Sequence, residues 1–386
     1  MVICTGVANS GGGAHRYVQP GVSSALVKRR LSVLAVAAVT VVSVSGATHA
    51  TPTPAPTPTA TPTPPRSDGT LTILTYRGYA EYGGINRKVN WTGSFEKQTG
   101  CRIARLDQVQ TADEMRARLT ERAYDLVSAG PGLAGELIAA EKVQPLVLDK
   151  VEGYDKLGKR LRELTTQDGK AYGVPYLWGS HEFVYDGSKV GSPSVKDVFA
   201  SARASLKDDP LTIADAALAT GAKGDPYTLG EAQLDSALDL LKEQTARSYW
   251  KAPLDLLKGF ATGSYDYAQV TPYLRRQLQA AGQPVEAIET SRTTGWADSW
   301  MLGAGVANSE CAYRWLSWTA DPEVQRDAAA WVGLAPAHPQ ACKGAARRVC
   351  DAYGATDTKA LDRIEYAVRS PSDYRIWADK WRSIVG

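Results

Sequence analysis

The chain has 386 residues, 44% of them hydrophobic and 22% charged, an ordinary globular composition long enough for two lobes. The formal charge of +3 comes from the first 69 residues, which hold five bases and one acid; the other 317 hold 39 Lys and Arg against 40 Asp and Glu, a sum of −1. A near-neutral body argues against a binder of phosphate backbones, and only two histidines beyond residue 69, His181 and His338, argue against most His-based catalytic and zinc sites.

Lys28-Arg29-Arg30 stands before an almost wholly apolar run of 14 residues, Leu31 to Val44, followed by small residues at Thr48 and Ala50. This pattern spells a secretory signal over 1–50, and the run falls short of the ~20 residues of a comfortable membrane span. The 27 residues ahead of Lys28 are unusual for such a leader, and Val27 is an alternative initiator. No cysteine follows the apolar run, so a lipid anchor of the usual bacterial kind has no acceptor. The mature chain is expected to begin between Ala47 and Thr51, in the periplasmic space or on the outer face of the cell membrane. Residues 51–65 (TPTPAPTPTATPTPP) cannot bury a core and read as an extended spacer, giving a linker over 51–69.

The folded part opens with a strand, LTILTY (71–76), a glycine-containing loop, RGYAEYGG, and a helix over Trp91–Thr99 stopped by Gly100. A second strand is CRIARL (101–106); Thr111 with Glu114 forms a capping box for a helix through Arg122. A third strand, DLVSA (125–129), runs through Gly130-Pro131-Gly132 into the helix LAGELIAAE. Strand alternating with helix predicts a parallel sheet covered by helices. The run YGVPYLWGSHEFVYD (172–186) reads as two strands joined at Trp178-Gly179. Thr228 and Glu231 are expected to cap a helix that buries Leu234, Leu238 and Leu241. Strands follow at Val285–Ile288 and in TTGWADSWML (293–302), then helices from Ser309 and from Asp321-Pro322. A last helix aligns Tyr374, Trp377 and Trp381 on one stripe, which reads as core.

An exported chain admits disulfides. Cys342 and Cys350, close together in a polar loop, are the favoured pair, while Cys101 reads as a buried free thiol. Gly130-Pro131-Gly132-Leu133-Ala134-Gly135 matches the string of a dinucleotide fingerprint, but it follows the third strand rather than the first, and Pro131 removes an amide. It reads better as a tight turn presenting backbone amides at the sheet end. Phosphate-loop, zinc-protease and nucleophile-elbow strings do not occur, so a binder is favoured over an enzyme. In Trp296-Ala297-Asp298-Ser299-Trp300 a carboxylate stands between two indoles, a combination suited to an ammonium group through charge-assisted hydrogen bonds and cation–π attraction.

With these residues placed, the stretch 70–386 resembles the polyamine-type (spermidine/putrescine) solute-binding proteins of ABC importers. The resemblance rests on GYAEYG, FEKQTGC, YDLVSAG, YGVPYLWGS, IADAAL, TGWADSWML and CAYRWL with DPEVQ and GLAPAHP after it. It implies an α/β, two-lobed periplasmic-binding-protein-like fold of type 2, with the ligand clamped in a cleft between lobes and presented to a membrane permease. Matched by position, Asp298 is the amine-binding acid, Trp296 an aromatic wall, Asp215 a second acid, and Tyr79 and Glu81 the first-loop contacts; Gly130 and Trp178 complete the implied site. Departures are Leu218 where a further acid is usual, Gly130 and Gly132 where side chains are usual, Leu334 for an aromatic, and a shortened TGSYDYAQV leaving Tyr265 or Tyr267 as substitutes.

The expected layout is lobe 1 over 70–177, lobe 2 over 178–292, a return to lobe 1 over 293–340, and C-terminal helices crossing the lobes over 341–386. The expected protein is a monomeric, non-enzymatic binder of a small cationic solute such as putrescine or spermidine, with no cofactor, metal or nucleic acid. Three other readings stay open: an anionic or zwitterionic ligand held at the Gly130–Gly132 helix start, a secreted enzyme using carboxylates such as Glu81 with Asp298, and a chemoreceptor or matrix adaptor without transport.

Overall fold

The computed structural model describes residues 69–306, 309–366 and 374–386; the leader, the Pro/Thr tract and the expected mature N-terminus lie outside the described residues. Chain order begins with β1 (Thr70–Tyr76), α1 (Trp91–Thr99), β2 (Arg102–Val109), α2 (Ala112–Glu121), β3 (Leu126–Ala129) and α3 (Pro131–Ala139). Helical crossovers leave β1 parallel to both β2 and β3. Helix α1 ends where Gly100 takes φ +74°, and Thr111 caps α2 by accepting the Glu114 N–H. The Glu114 carboxylate reaches back to the Gln110 N–H, one residue before the expected partner.

After α4 (Lys159–Glu163) and the small hairpin of β4 (Thr166–Gln167) and β5 (Lys170–Ala171), strand β6 (Gly173–Ser180) is buried at every residue. The break to β7 (Glu182–Asp186) falls at His181, not at the expected Trp178-Gly179, because β6 keeps its ladder to a neighbouring strand through Ser180.

A second sheet then forms from β7, β8 (Ala204–Lys207), β9 (Ser248–Trp250), β10 (Tyr267–Val270) and β11 (Val285–Ile288), in the order β11-β7-β10-β8-β9. Between its strands run α5 (Val195–Ala200), α6 (Thr212–Ala219), α7 (Glu231–Lys242), α8 (Pro253–Ala261) and α9 (Pro272–Ala280). Helix α7 buries Leu234, Leu238 and Leu241 as its spacing requires, but it starts from Gly230. Thr228 is instead drawn to Asp225, and the Gly230 N–H is taken by Gln233.

The chain returns with β12 (Thr293–Leu302), then α10 (Glu310–Ala320), α11 (Pro322–Val332), β13 (Ala335–Pro336), α12 (Arg347–Tyr353), α13 (Thr358–Asp362), β14 (Ile364–Tyr366) and α14 (Tyr374–Val385). Strand β12 inserts between β3 and β6, antiparallel to both. The first sheet, ordered β13-β6-β12-β3-β1-β2 with β14 beside the start of β12, is therefore mixed rather than parallel throughout. Trp300 and Trp315, both fully buried, stack edge to face at 5.3 Å in its core. Helix α12 packs on α9 and α11, while Trp377 and Trp381 of α14 enter the core of the second lobe, where the Trp381 indole N–H donates to Asp208.

Cys342 and Cys350 form a disulfide, as expected. Cys101 is not a free thiol: it is bonded to Cys311 across a separation of 210 residues. It sits just before β2 rather than inside it, which brings it against the first turn of α10.

Candidate functional site

Side chains alternate along a strand, so Thr294, Trp296 and Asp298 share one face of β12. On β6, Gly179 pairs with Trp296 and Leu177 with Asp298. A Cβ at Gly179 would lie 2.6 Å from the Trp296 ring and 3.1 Å from Leu334, so the missing side chain makes room for the indole.

Asp298 is 5% exposed, and among the described residues no Lys, Arg or His pairs with it. The Tyr79 hydroxyl donates to its Oδ2. Tyr79 is itself fixed: its ring meets those of Tyr76 and Tyr176 edge on at 5.7 and 5.5 Å, and its carbonyl accepts the Trp91 indole N–H and the Tyr176 hydroxyl. Burial raises the Asp298 pKa to about 6, while hydrogen bonds from Tyr79 and Trp296 pull the other way. Burial and the Asp298 charge push the Tyr79 hydroxyl well up, so it remains a proton donor.

Gly130 caps the start of α3, and a Cβ there would stand 2.9 Å from Asp298 Oδ1. The Gly130 turn therefore already faces a carboxylate. Because Tyr79 holds that carboxylate, Gly130→Ala is expected to destabilise the protein by about 1–3 kcal/mol, the usual penalty for overpacking. Thermal melting checks this, and an unchanged midpoint would mean that Asp298 is free to swing aside.

Asp215 lies in the first turn of α6, 2% exposed, and both of its oxygens are engaged. Oδ1 accepts the Thr294 hydroxyl at 2.6 Å, and Oδ2 accepts Gln269 Nε2 at 2.8 Å and lies 3.3 Å from His181 Nδ1. It joins the Asp298 row through Thr294 rather than by direct contact. Glu81 is half-buried, hydrogen-bonded to Trp331, and raised by burial; no contact ties it to Asp298. Trp178 pairs with Ala297, so alternation turns it to the other face of β6, where its indole N–H donates to the Pro336 carbonyl and its ring meets Tyr353 and Tyr366. It lines a separate cavity of about 220 Å³ with Leu161, Leu361 and Tyr366. Of the two candidate substitutes, Tyr265 covers Gly259 and the edge of Phe260, and Tyr267 packs in the second-lobe core.

The fold thus brings Tyr79, Gly130, Trp296 and Asp298 together, sets Asp215 beside them, and leaves Trp178 out. Sequence reasoning missed Tyr76, Thr294, Gln269 and His181; a lone polar His between two apolar strands was the signal for the last. An open groove of about 1150 Å³ lies elsewhere, between residues 150–156 and 310–322. It is lined by groups of both signs, including Lys150, Lys156, Arg314, Glu152 and Glu310.

A profile of bacterial extracellular solute-binding proteins matches residues 90–346, and the chain belongs to this family. Its members are extracellular proteins that bind solutes. A putrescine/agmatine-binding protein from Pseudomonas aeruginosa is 34% identical over 101 residues, 25% of this chain and 27% of that protein. The match thus spans about a quarter of that relative's length. The spermidine/putrescine substrate-binding protein PotD from Streptococcus pneumoniae superposes with a TM-score of 0.65 at 16% identity, over 82% of this chain and 97% of that one. A GABA receptor superposes with a TM-score of 0.66 at 18% identity, over 82% and 98%. These structures share the two-lobed type 2 periplasmic-binding fold with a cleft between lobes. No helix among the described residues is long and apolar enough to cross a membrane.

Proposed function

We propose that the protein captures a small amine, of the putrescine class, for import. The observation that carries this reading is Asp298: a buried carboxylate with a hydroxyl and an indole around it and no cation partner among the described residues. An ammonium group supplies that missing charge. Trp296 offers a face for the alkyl chain and cation–π attraction. The same carboxylate at the start of α3 repels an anion, which counts against the anionic alternative. A match to a putrescine/agmatine-binding relative agrees with this reading. Closure of the two lobes about the segments that cross between them, 180–182 and 288–293, belongs to the same proposal.

A triamine brings three charges. With Asp215 already engaged by three partners and Leu218 apolar, a third ammonium meets no free acid here. Calorimetric titration with putrescine, agmatine, spermidine and GABA tests the reading. Putrescine or agmatine is expected to bind more tightly than spermidine; spermidine binding tenfold tighter than putrescine, or GABA alone binding, overturns it.

The raised Asp298 pKa also fixes a pH dependence. The folded carboxyl titrates near 6, above its ordinary 3.8, so between these values the folded state holds a proton that the unfolded state has lost. The slope of unfolding free energy with pH is then negative, and ligand-free stability falls as pH rises from 4 to 6 by about 3 kcal/mol from this group. Ammonium binding needs the charged form, so affinity is expected to fall as pH drops below about 6, by up to tenfold per pH unit. Titrations from pH 5 to 8 in buffers of different ionisation enthalpy detect the proton released on binding; affinity flat across that range excludes Asp298 as the anchor.

A further inference from the structure

Of the residues beside the Asp298 row, His181 has no assigned task, yet it occupies the one-residue gap between β6 and β7 where the chain leaves the first sheet. The ladder of β6 against β12 continues to it: the His181 N–H donates to the Thr294 carbonyl at 2.9 Å. With Leu177 opposite Asp298 and Gly179 opposite Trp296, alternation sets His181 opposite Thr294 on the face that carries Asp298 and Trp296. Its ring lies 5.0 Å from that of Trp296. His181 Nε2 is fully buried and has no hydrogen-bond partner among the described residues.

Counting protons around Asp215 indicates the tautomer of the neutral His181 ring. The carboxylate only accepts, and it takes the single hydroxyl proton of Thr294 at 2.6 Å. His181 Nδ1 stands 2.8 Å from that hydroxyl oxygen and 3.3 Å from Asp215 Oδ2, so Nδ1 must be the donor. In the neutral ring Nε2 is then bare, a lone pair buried without a proton to accept.

We propose that His181 Nε2 is the second contact of the amine site, accepting a hydrogen bond from the far nitrogen of a linear diamine whose near ammonium is held by Asp298. Asp215 acts through it, as the positioning residue that selects the tautomer. The inference rests on the amine reading given above. Asp298 and Thr294 are four residues apart, about 13 Å along the strand. With about 3 Å for a hydrogen bond at either end, the span left suits a four-carbon diamine lying along Trp296 rather than a longer triamine.

Putrescine and butylamine, which share the chain and one ammonium but differ in the second nitrogen, form the test. His181→Asn retains a donor toward Asp215 and removes the Nε2 acceptor. It is expected to weaken putrescine by about 10- to 150-fold while leaving butylamine within about twofold, the range for a hydrogen bond to a charged group. Equal losses for both amines, or no loss for either, overturn the assignment. If the unaltered protein binds neither amine, the amine reading itself falls and this inference with it. Nitrogen-15 NMR of the histidine rings in the unaltered protein gives a readout that needs no variant. It should find His181 protonated at Nδ1 and bare at Nε2 before ligand, with the Nε2 resonance moving on putrescine addition. A proton on Nε2 in the free protein rejects the proposal.

Discussion

Asp298→Asn is expected to weaken amine binding by roughly 30- to 5000-fold, because removing one partner of a desolvated charge pair costs about 2–5 kcal/mol. The same change should stabilise the empty protein. Burial lifts the Asp298 carboxyl to about 6, which is to say that the folded chain bears a penalty for the charge at neutral pH. An amide of the same shape removes that penalty and still accepts from Tyr79. Calorimetry and thermal melting on one sample therefore move in opposite directions: affinity down, melting temperature up. A structural carboxylate gives the other pattern, with stability lost and affinity changed less than threefold.

The second large effect is on stability alone. Replacing Cys101 and Cys311 together with alanine opens a loop closed across 210 residues. In the chain-entropy account a loop of that length contributes about 5 kcal/mol, near the top of the range for native disulfides. For a folded part of this size that corresponds to roughly 7 °C in melting temperature. Cys342 and Cys350, eight residues apart, close a far smaller loop, and their removal should lower the midpoint by less. Melting the two double variants side by side decides it; equal losses would mean that strain or residual structure, not loop length, sets the contribution.

Local signals were legible in the sequence where local physics decides. Gly100, Ser309 and Asp321-Pro322 bound their helices as read, and TTGWADSWML is β12 from its first residue to its last. Asp298 and Trp296 stood out as candidates because a carboxylate two residues from an indole on a strand is a local pattern. The Cys101–Cys311 bond was not legible, since pairing over 210 residues depends on where α10 lands. Trp178 was misjudged for a related reason. Its neighbour Leu177 faces the Asp298 side, and only the register against β12 settles which of two adjacent residues does so. The partners of Asp215, which sits on α6, come from β10, β12 and the His181 crossing, three places that sequence spacing cannot bring together.

The place of β12 in the first sheet governs when this protein can become itself. It is the twelfth of the fourteen strands among the described residues, beginning at Thr293, yet it lies between β3 and β6 in the middle of the sheet. Until a growing chain reaches Leu302, β3 keeps one unpaired edge beside β1 and β6 has no strand partner at all. The second lobe waits longer still, for Trp377 and Trp381 near the last residue. The first sheet therefore cannot close until Leu302 is made, whereas every strand of the second is in place by Ile288 and only its core waits for the last helix.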